Sequence, residues 1–415
     1  MFRSILIFIL SSLFFVSCGN ISLYSIHKNE NVIIDRNSRT VAVFDKTIQK
    51  YHYPYKKAAS QTLISIARTT KNKSLKLTID IELQKYISSL FKDLSGSLIV
   101  MNVNGEILSM SSFPEYDANI FTDGIFKKKW KSLVEDPRKP FVNKNINALY
   151  PPGSTITPAL GLHYISSQKL KKDFHVNCES SFKVGKHTFI CPTKHGYTDV
   201  TKAIREGCND YFYKGAAKLG ITDISTTLKR YGLGKQTGID LPREFHGLIP
   251  SKEWKKKKYN KPWYIGETLN TSIGQGELLV TPLQMTQLTA LVATGKLPTP
   301  HLVQKTAVLK DVLNSKEIDN LPIIQKAMYE MCNHPKGKLS TYINSKVKIA
   351  ATQGFSQTIK GKAHSWTVSY APYKNPQYIV TVLIEHDTSS GVEGAKIVSK
   401  IYDKLMKLNY IKGEK

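Results

Sequence analysis

Ser154 is the residue of this chain best placed to do chemistry. It follows a Pro151-Pro152-Gly153 turn and precedes an apolar run, Ala159, Leu160, Leu162 and Ile165, whose spacing predicts a helix from about residue 154 to 167. Pro158 suits a first helical turn, where its missing N–H has no partner to lose. A serine at a helix N-terminus sits in a positive partial charge that favours a developing alkoxide. A hydroxyl is nevertheless a poor nucleophile at neutral pH and needs an adjacent base or relay. In well-known enzymes that present serine this way, a lysine three residues on takes the proton. That position here is Thr157, whose hydroxyl is no base and carries no charge.

The elements that must hold this serine are readable from periodicity. Residues 75–81 form a strand-like run, followed by a predicted helix over 82–91 with Leu83, Tyr86, Ile87 and Leu90 on one face. Apolar runs either side of Asn104-Gly105 predict a hairpin over 95–110. Helices are predicted over 198–218, 224–231, 282–293 and 395–405, and strands over 365–370 and 378–384. Strands, a block of helices, then strands and a closing helix point to an α+β domain with an antiparallel sheet and helices on its faces. Ahead of it, residues 32–43 predict a hairpin turning at 36–38. Residues 44–73 are basic and Tyr/Ser-rich, with a weak helical stretch at 63–67, too small for a core of their own.

A chain of 415 residues with 41% hydrophobic content can bury a substantial core. Its net charge of +27 comes without any nucleic-acid-binding pattern, so it reads as a Lys-biased solvated surface; contact with anionic lipid head groups would be its use, if it has one. The N-terminus reads as a signal peptide over 1–18: Arg3, an apolar core over 5–16 too short to span a membrane, and Phe15-Val16-Ser17-Cys18. That last stretch resembles a bacterial lipobox, with Cys18 as the lipidated first residue; an uncleaved signal-anchor is the alternative. Either implies an exported, membrane-tethered chain, with residues 19–31 as tether. In an oxidising compartment Cys178 and Cys191 could form a local disulfide. With His195 they could instead contribute to a zinc site, for which spacing places no fourth ligand, or remain unpaired thiols.

Several stretches, in order, carry a family resemblance over roughly residues 75–405. They are Leu75-Lys76-Leu77-Thr78-Ile79-Asp80, the hairpin over 100–110, and Tyr150-Pro151-Pro152-Gly153-Ser154-Thr155 with Pro158. Then come Tyr231-Gly232-Leu233-Gly234, Thr237-Gly238-Ile239-Asp240-Leu241-Pro242, Asn270-Thr271-Ser272-Ile273-Gly274-Gln275-Gly276 with Thr281-Pro282-Leu283-Gln284, and His364-Ser365-Trp366. Together they resemble the transpeptidase domain of class B penicillin-binding proteins, most closely the elongation type, penicillin-binding protein 2. The resemblance implies a penicillin-binding transpeptidase/serine β-lactamase-like fold with a helical subdomain over residues 74–410. It also implies a truncated remnant of the family's pedestal domain within 19–73. A periplasmic location, peptidoglycan or its peptide stems, and the cell-wall elongation machinery follow as implied setting and partners. No nucleic acid and no cofactor are expected.

The family acylates its serine with a D-Ala-D-Ala peptide and then passes the acyl group to an amine. Tested position by position, Ser154 is kept and the lysine is replaced by Thr157. The serine-x-asparagine motif aligns with Gly207-Cys208-Asn209, so Asn209 survives and the relay hydroxyl does not. The lysine-threonine-glycine motif aligns with Thr352-Gln353-Gly354, so the substrate carboxylate loses its cation. Backbone N–H groups of Ser154 and Phe355 can still shape an oxyanion hole, which needs no particular side chain. Two readings follow: a catalytically impaired or inactive homologue acting as scaffold or peptidoglycan-binding module, or a divergent transpeptidase or carboxypeptidase acylated at Ser154. His195 and His364 are candidates for a substitute base by residue type only, a lone histidine being more often structural. In the first reading Ser154 serves only to satisfy backbone N–H groups at a helix end.

Overall fold

The structure is a computed structural model describing residues 31–58, 60–70, 74–122, 124, 127–357 and 362–412. Its centre is a five-stranded antiparallel sheet in the order Ala350–Ser356, His364–Ala371, Tyr378–Ile384, Gly96–Asn102, Ile107–Phe113. The strands are buried on both faces because helices cover both. Neighbouring residues of one strand demonstrate this: Thr381 hydrogen-bonds Thr286 of the helix Pro282–Thr294, while Val382 lies by Gly394 of the helix Val392–Lys407 on the opposite face. The expected α+β class, antiparallel sheet and helical subdomain are all present.

Between the sheet's two halves in sequence lies the helical subdomain, whose members include Thr157–Ser166, Val200–Glu206, Asn209–Leu219, Ile221–Arg230 and Ser315–Asn333. The single helix expected over 198–218 is two, broken where Gly207 takes a left-handed φ of 73° that ends the first. Ser315–Asn333 was not anticipated. Pro322 interrupts its pattern, yet an Asn314/Glu317 capping box starts it and Ile324, Met328 and Met331 anchor it in the core.

Val32–Ile34 pairs antiparallel with Thr40–Asp45 and parallel with Leu75–Lys76. Arg39 bridges Asp35 and Asp80, clamping this hairpin to the start of the helix Ile81–Leu90. The helix Ser60–Thr70 contributes Leu63, Ile64, Ile66 and Ala67 to the same core as the sheet, so the segment before residue 74 shares a core rather than building one. The signal peptide, Cys18 and nearly all of the tether lie outside the described residues. Among the described residues no helix is long and apolar enough to cross a membrane.

Candidate active site and cysteine cluster

Ser154 lies in a 3-10 turn, Gly153–Ile156, that leads directly into the helix Thr157–Ser166. The turn is pinned from every side. Tyr150 exchanges backbone hydrogen bonds with Val280 and donates its hydroxyl to Glu385 Oε1 at 2.7 Å. Trp366 Nε1 donates to the Pro151 carbonyl at 3.0 Å, and Gly153 N–H to Gly274 O at 2.9 Å. Gly153 has φ 56°, and a Cβ there would lie 2.7 Å from Phe355 N, so only glycine lets the strand Ala350–Ser356 close onto the turn. Gln275 Nε2 donates to the Phe355 carbonyl at 2.5 Å. N–H and C=O of one strand residue point the same way, so the Phe355 N–H also faces outward from the sheet, toward the serine turn. The Phe355 half of the backbone arrangement that the resemblance implies around Ser154 is therefore in place.

The reactive side chains are not. The Ser154 hydroxyl makes no hydrogen bond among the described residues, so the helix-end role expected of it as a bland alternative is not observed. Thr157 is buried and spends its hydroxyl on the Ser154 carbonyl at 2.7 Å. Thr352 is 1% exposed with its hydroxyl unpartnered. Gln353 Nε2 donates to Gly391 O at 2.8 Å, and a Cβ on Gly391 would lie 2.9 Å from the Phe355 ring. Asn209 reaches the Ile190 carbonyl at 3.5 Å. His364 packs edge-on against Tyr150 and accepts the His386 N–H at Nδ1, and His195 lies among cysteines; neither is paired with Ser154.

A model of the penicillin binding protein transpeptidase domain matches residues 96–407. The chain belongs to this family. Peptidoglycan D,D-transpeptidase MrdA of Salmonella typhimurium is 34% identical over 373 residues, which cover 80% of this chain and 59% of that protein. The chain thus spans less than two thirds of that relative's length. A penicillin-binding protein (PBP2) from Helicobacter pylori superposes with a TM-score of 0.84 at 28% identity, covering 92% of this chain and 98% of that one. A complex between PBP2 and MreC from Helicobacter pylori gives 0.78 at 35% identity, with 91% and 68% covered.

This penicillin-binding domain carries a second constellation. Cys178, Cys191 and His195 come together with Cys208, their ligand atoms all within 4.8 Å of one another. Of the alternatives open for Cys178 and Cys191, the local disulfide is not formed: all four described cysteines are free. Cys191 Sγ stands 4.0 Å from Cys208 Sγ and 3.4 Å from His195 Nδ1, and Cys178 Sγ 3.6 Å from the same nitrogen. Bond lengths of tetrahedral zinc imply about 3.8 Å between two sulfurs and about 3.6 Å from sulfur to nitrogen. The donor set and spacing fit Zn²⁺. His195 Nε2 lies 3.4 Å from Glu206 O, the outer partner a metal-bound imidazole needs. Hydrogen bonding from Cys208, then His195, holds the Cys191 thiol well below its ordinary range, and the same contact pushes Cys208 up. Cys208 is the ligand that sequence reasoning missed. It is the middle residue of the serine-x-asparagine motif, and its signal, a cysteine at comparable spacing beyond His195, was hidden by that assignment.

Proposed function

We propose that this chain is a catalytically impaired member of its family. It works as an exported scaffold of peptidoglycan synthesis that engages cell-wall peptide stems and elongation partners. The carrying observation is that the Thr157 hydroxyl is committed to the Ser154 carbonyl, while neither 157 nor 352 supplies a cation. Losing a general base costs about 10²–10⁴-fold. Motif groups act as a unit, so their losses do not simply add. A periplasm-facing location and tethering through residues 1–18, by lipid on Cys18 or as a signal-anchor, belong to the same reading. So do a truncated pedestal remnant over 19–73 and a transpeptidase-like domain over 74–410. The MreC partner of the Helicobacter PBP2 complex indicates the kind of assembly partner expected. Cys178, Cys191, His195 and Cys208 hold a structural zinc that fixes the segment carrying Gly207 and Asn209.

A divergent enzyme acylated at Ser154 is the competing reading. The pinned turn, the outward-facing Phe355 N–H and the uncommitted Ser154 hydroxyl favour it. Fluorescent penicillin separates the two, with Ser154→Ala as control. The expected result is no Ser154-dependent label within minutes on protein that melts cooperatively. Stoichiometric labelling lost in Ser154→Ala would sink the impaired reading. Restoring Thr157→Lys alone is expected to leave labelling near background, because the relay and the second cation stay missing.

A further inference from the structure

Gly207 and Lys338 are far apart in sequence and meet at the second motif. A Cβ built on Gly207 would lie 2.7 Å from Lys338 Nζ and 3.0 Å from its Cε. The ammonium therefore stands about where the family's relay side chain would project. The left-handed backbone at 207 explains a preference for glycine there, but any side chain would also collide with the lysine.

Lys338 is delivered by the turn that ends the long helix. Its N–H donates to Arg205 O at 3.2 Å, and Leu339 N–H to Met331 O at 2.9 Å, tying that turn to the end of Val200–Glu206. The side chain is open to solvent, and desolvation by the protein around it outweighs the nearby Cys191 sulfur to hold its amine below the ordinary lysine range. Its cationic neighbours are satisfied: Arg205 pairs with Glu206 and Glu330, and Lys202 donates to the His195 and Tyr197 carbonyls. The Lys338 ammonium makes no hydrogen bond or ion pair among the described residues.

We propose that Lys338 is the anion-binding residue of this cleft, receiving the terminal carboxylate of a peptide stem in place of the cation lost at 352. The assignment rests on the peptide-binding reading above. An ammonium without a carboxylate partner can offer a charge-assisted hydrogen bond to an incoming anion, whereas one already paired gains little from it.

The test uses the full chain and two probes: an N-acetylated peptide ending in D-Ala-D-Ala, and the same peptide with its C-terminus amidated. Calorimetric titration should show the carboxylate form binding at least about tenfold more tightly. Lys338→Met should abolish that preference and Lys338→Arg should keep most of it, with melting temperature and zinc content unchanged in both. Should Lys338→Met fail to fold, Lys338→Gln serves in its place. A preference surviving neutralisation overturns the assignment. Equal binding of both peptides by the wild type overturns it too, while leaving peptide recognition standing. Binding of neither overturns both.

Discussion

Stripping the metal from the Cys178–Cys191–His195–Cys208 cluster is expected to lower Tm by roughly 4–6 °C. A ligand that binds only the folded state at a thousand times its Kd stabilises it by about 4 kcal/mol, and each kcal/mol moves a domain of more than 300 residues by only about 1–1.5 °C. Three of the four donors are at most 1% exposed, so no water replaces a lost metal at their sulfurs. Purified protein should carry one zinc per chain by elemental analysis. Cys208→Ala and Cys191→Ala should lose it, and a strong chelator should reproduce their melting shift in the wild type. Protein expressed with ample zinc that contains none, and that ignores the chelator, would refute the site. Because Cys208 directly precedes Asn209, metal loss should also disturb the cleft, visible as weakened binding of the carboxylate peptide.

The second large effect concerns the buried pair Lys144–Glu385, whose side chains are 3% and 14% exposed and 2.6 Å apart. Lys144 also donates to Ser95 Oγ and to the Phe113 carbonyl, and Ser95 and Tyr150 both donate to the Glu385 carboxylate. Burial opposes the ionised form of Glu385, but Lys144, Ser95 and Tyr150 outweigh it and hold the carboxyl below its ordinary 4.5. Removing one member of a buried pair strands the other charge and costs about 3–5 kcal/mol. Glu385→Gln and Lys144→Met should each lower Tm by roughly 3–7 °C. A double variant, Lys144→Met with Glu385→Leu, should lose less than the sum of its parts. The pH dependence follows from the sign of the shift. A carboxyl with a depressed folded pKa contributes fully above its unfolded value, and that contribution fades as pH falls through the lower folded value. The wild type should therefore lose stability below about pH 4.5 faster than Glu385→Gln does. Parallel acid melting of the two would contradict the assignment.

Much of the fold was legible because its strands and helices carry their own periodicity. The hairpin around Asn104-Gly105, the strand Tyr378–Ile384 and the helix Pro282–Thr294 are local statements, and each appears within a few residues of where its pattern puts it. The serine turn was legible in its own residues, and the three depleted motifs through the resemblance to the family. What escaped were facts created by contact between distant residues. Cys208 joins Cys178 only once the helix Asn209–Leu219 docks, and Lys338 meets Gly207 across most of the helical subdomain. Lys144 finds Glu385 across the sheet. The broken helix at Gly207 is intermediate: its apolar pattern continues through the break, and only the positive φ betrays it.

The pins on the serine turn have a consequence of their own. Tyr150, Trp366, Gly153 and Gly274 hold the turn through bonds that involve none of the groups needed to move a proton. Architecture and reactivity are thus separable in this cleft. None of these pins involves Thr157, Gly207 or Thr352, so a lineage could shed the reaction while inheriting the shape of the turn intact. A protein built this way can be repurposed as a reader of the molecules its ancestors once joined.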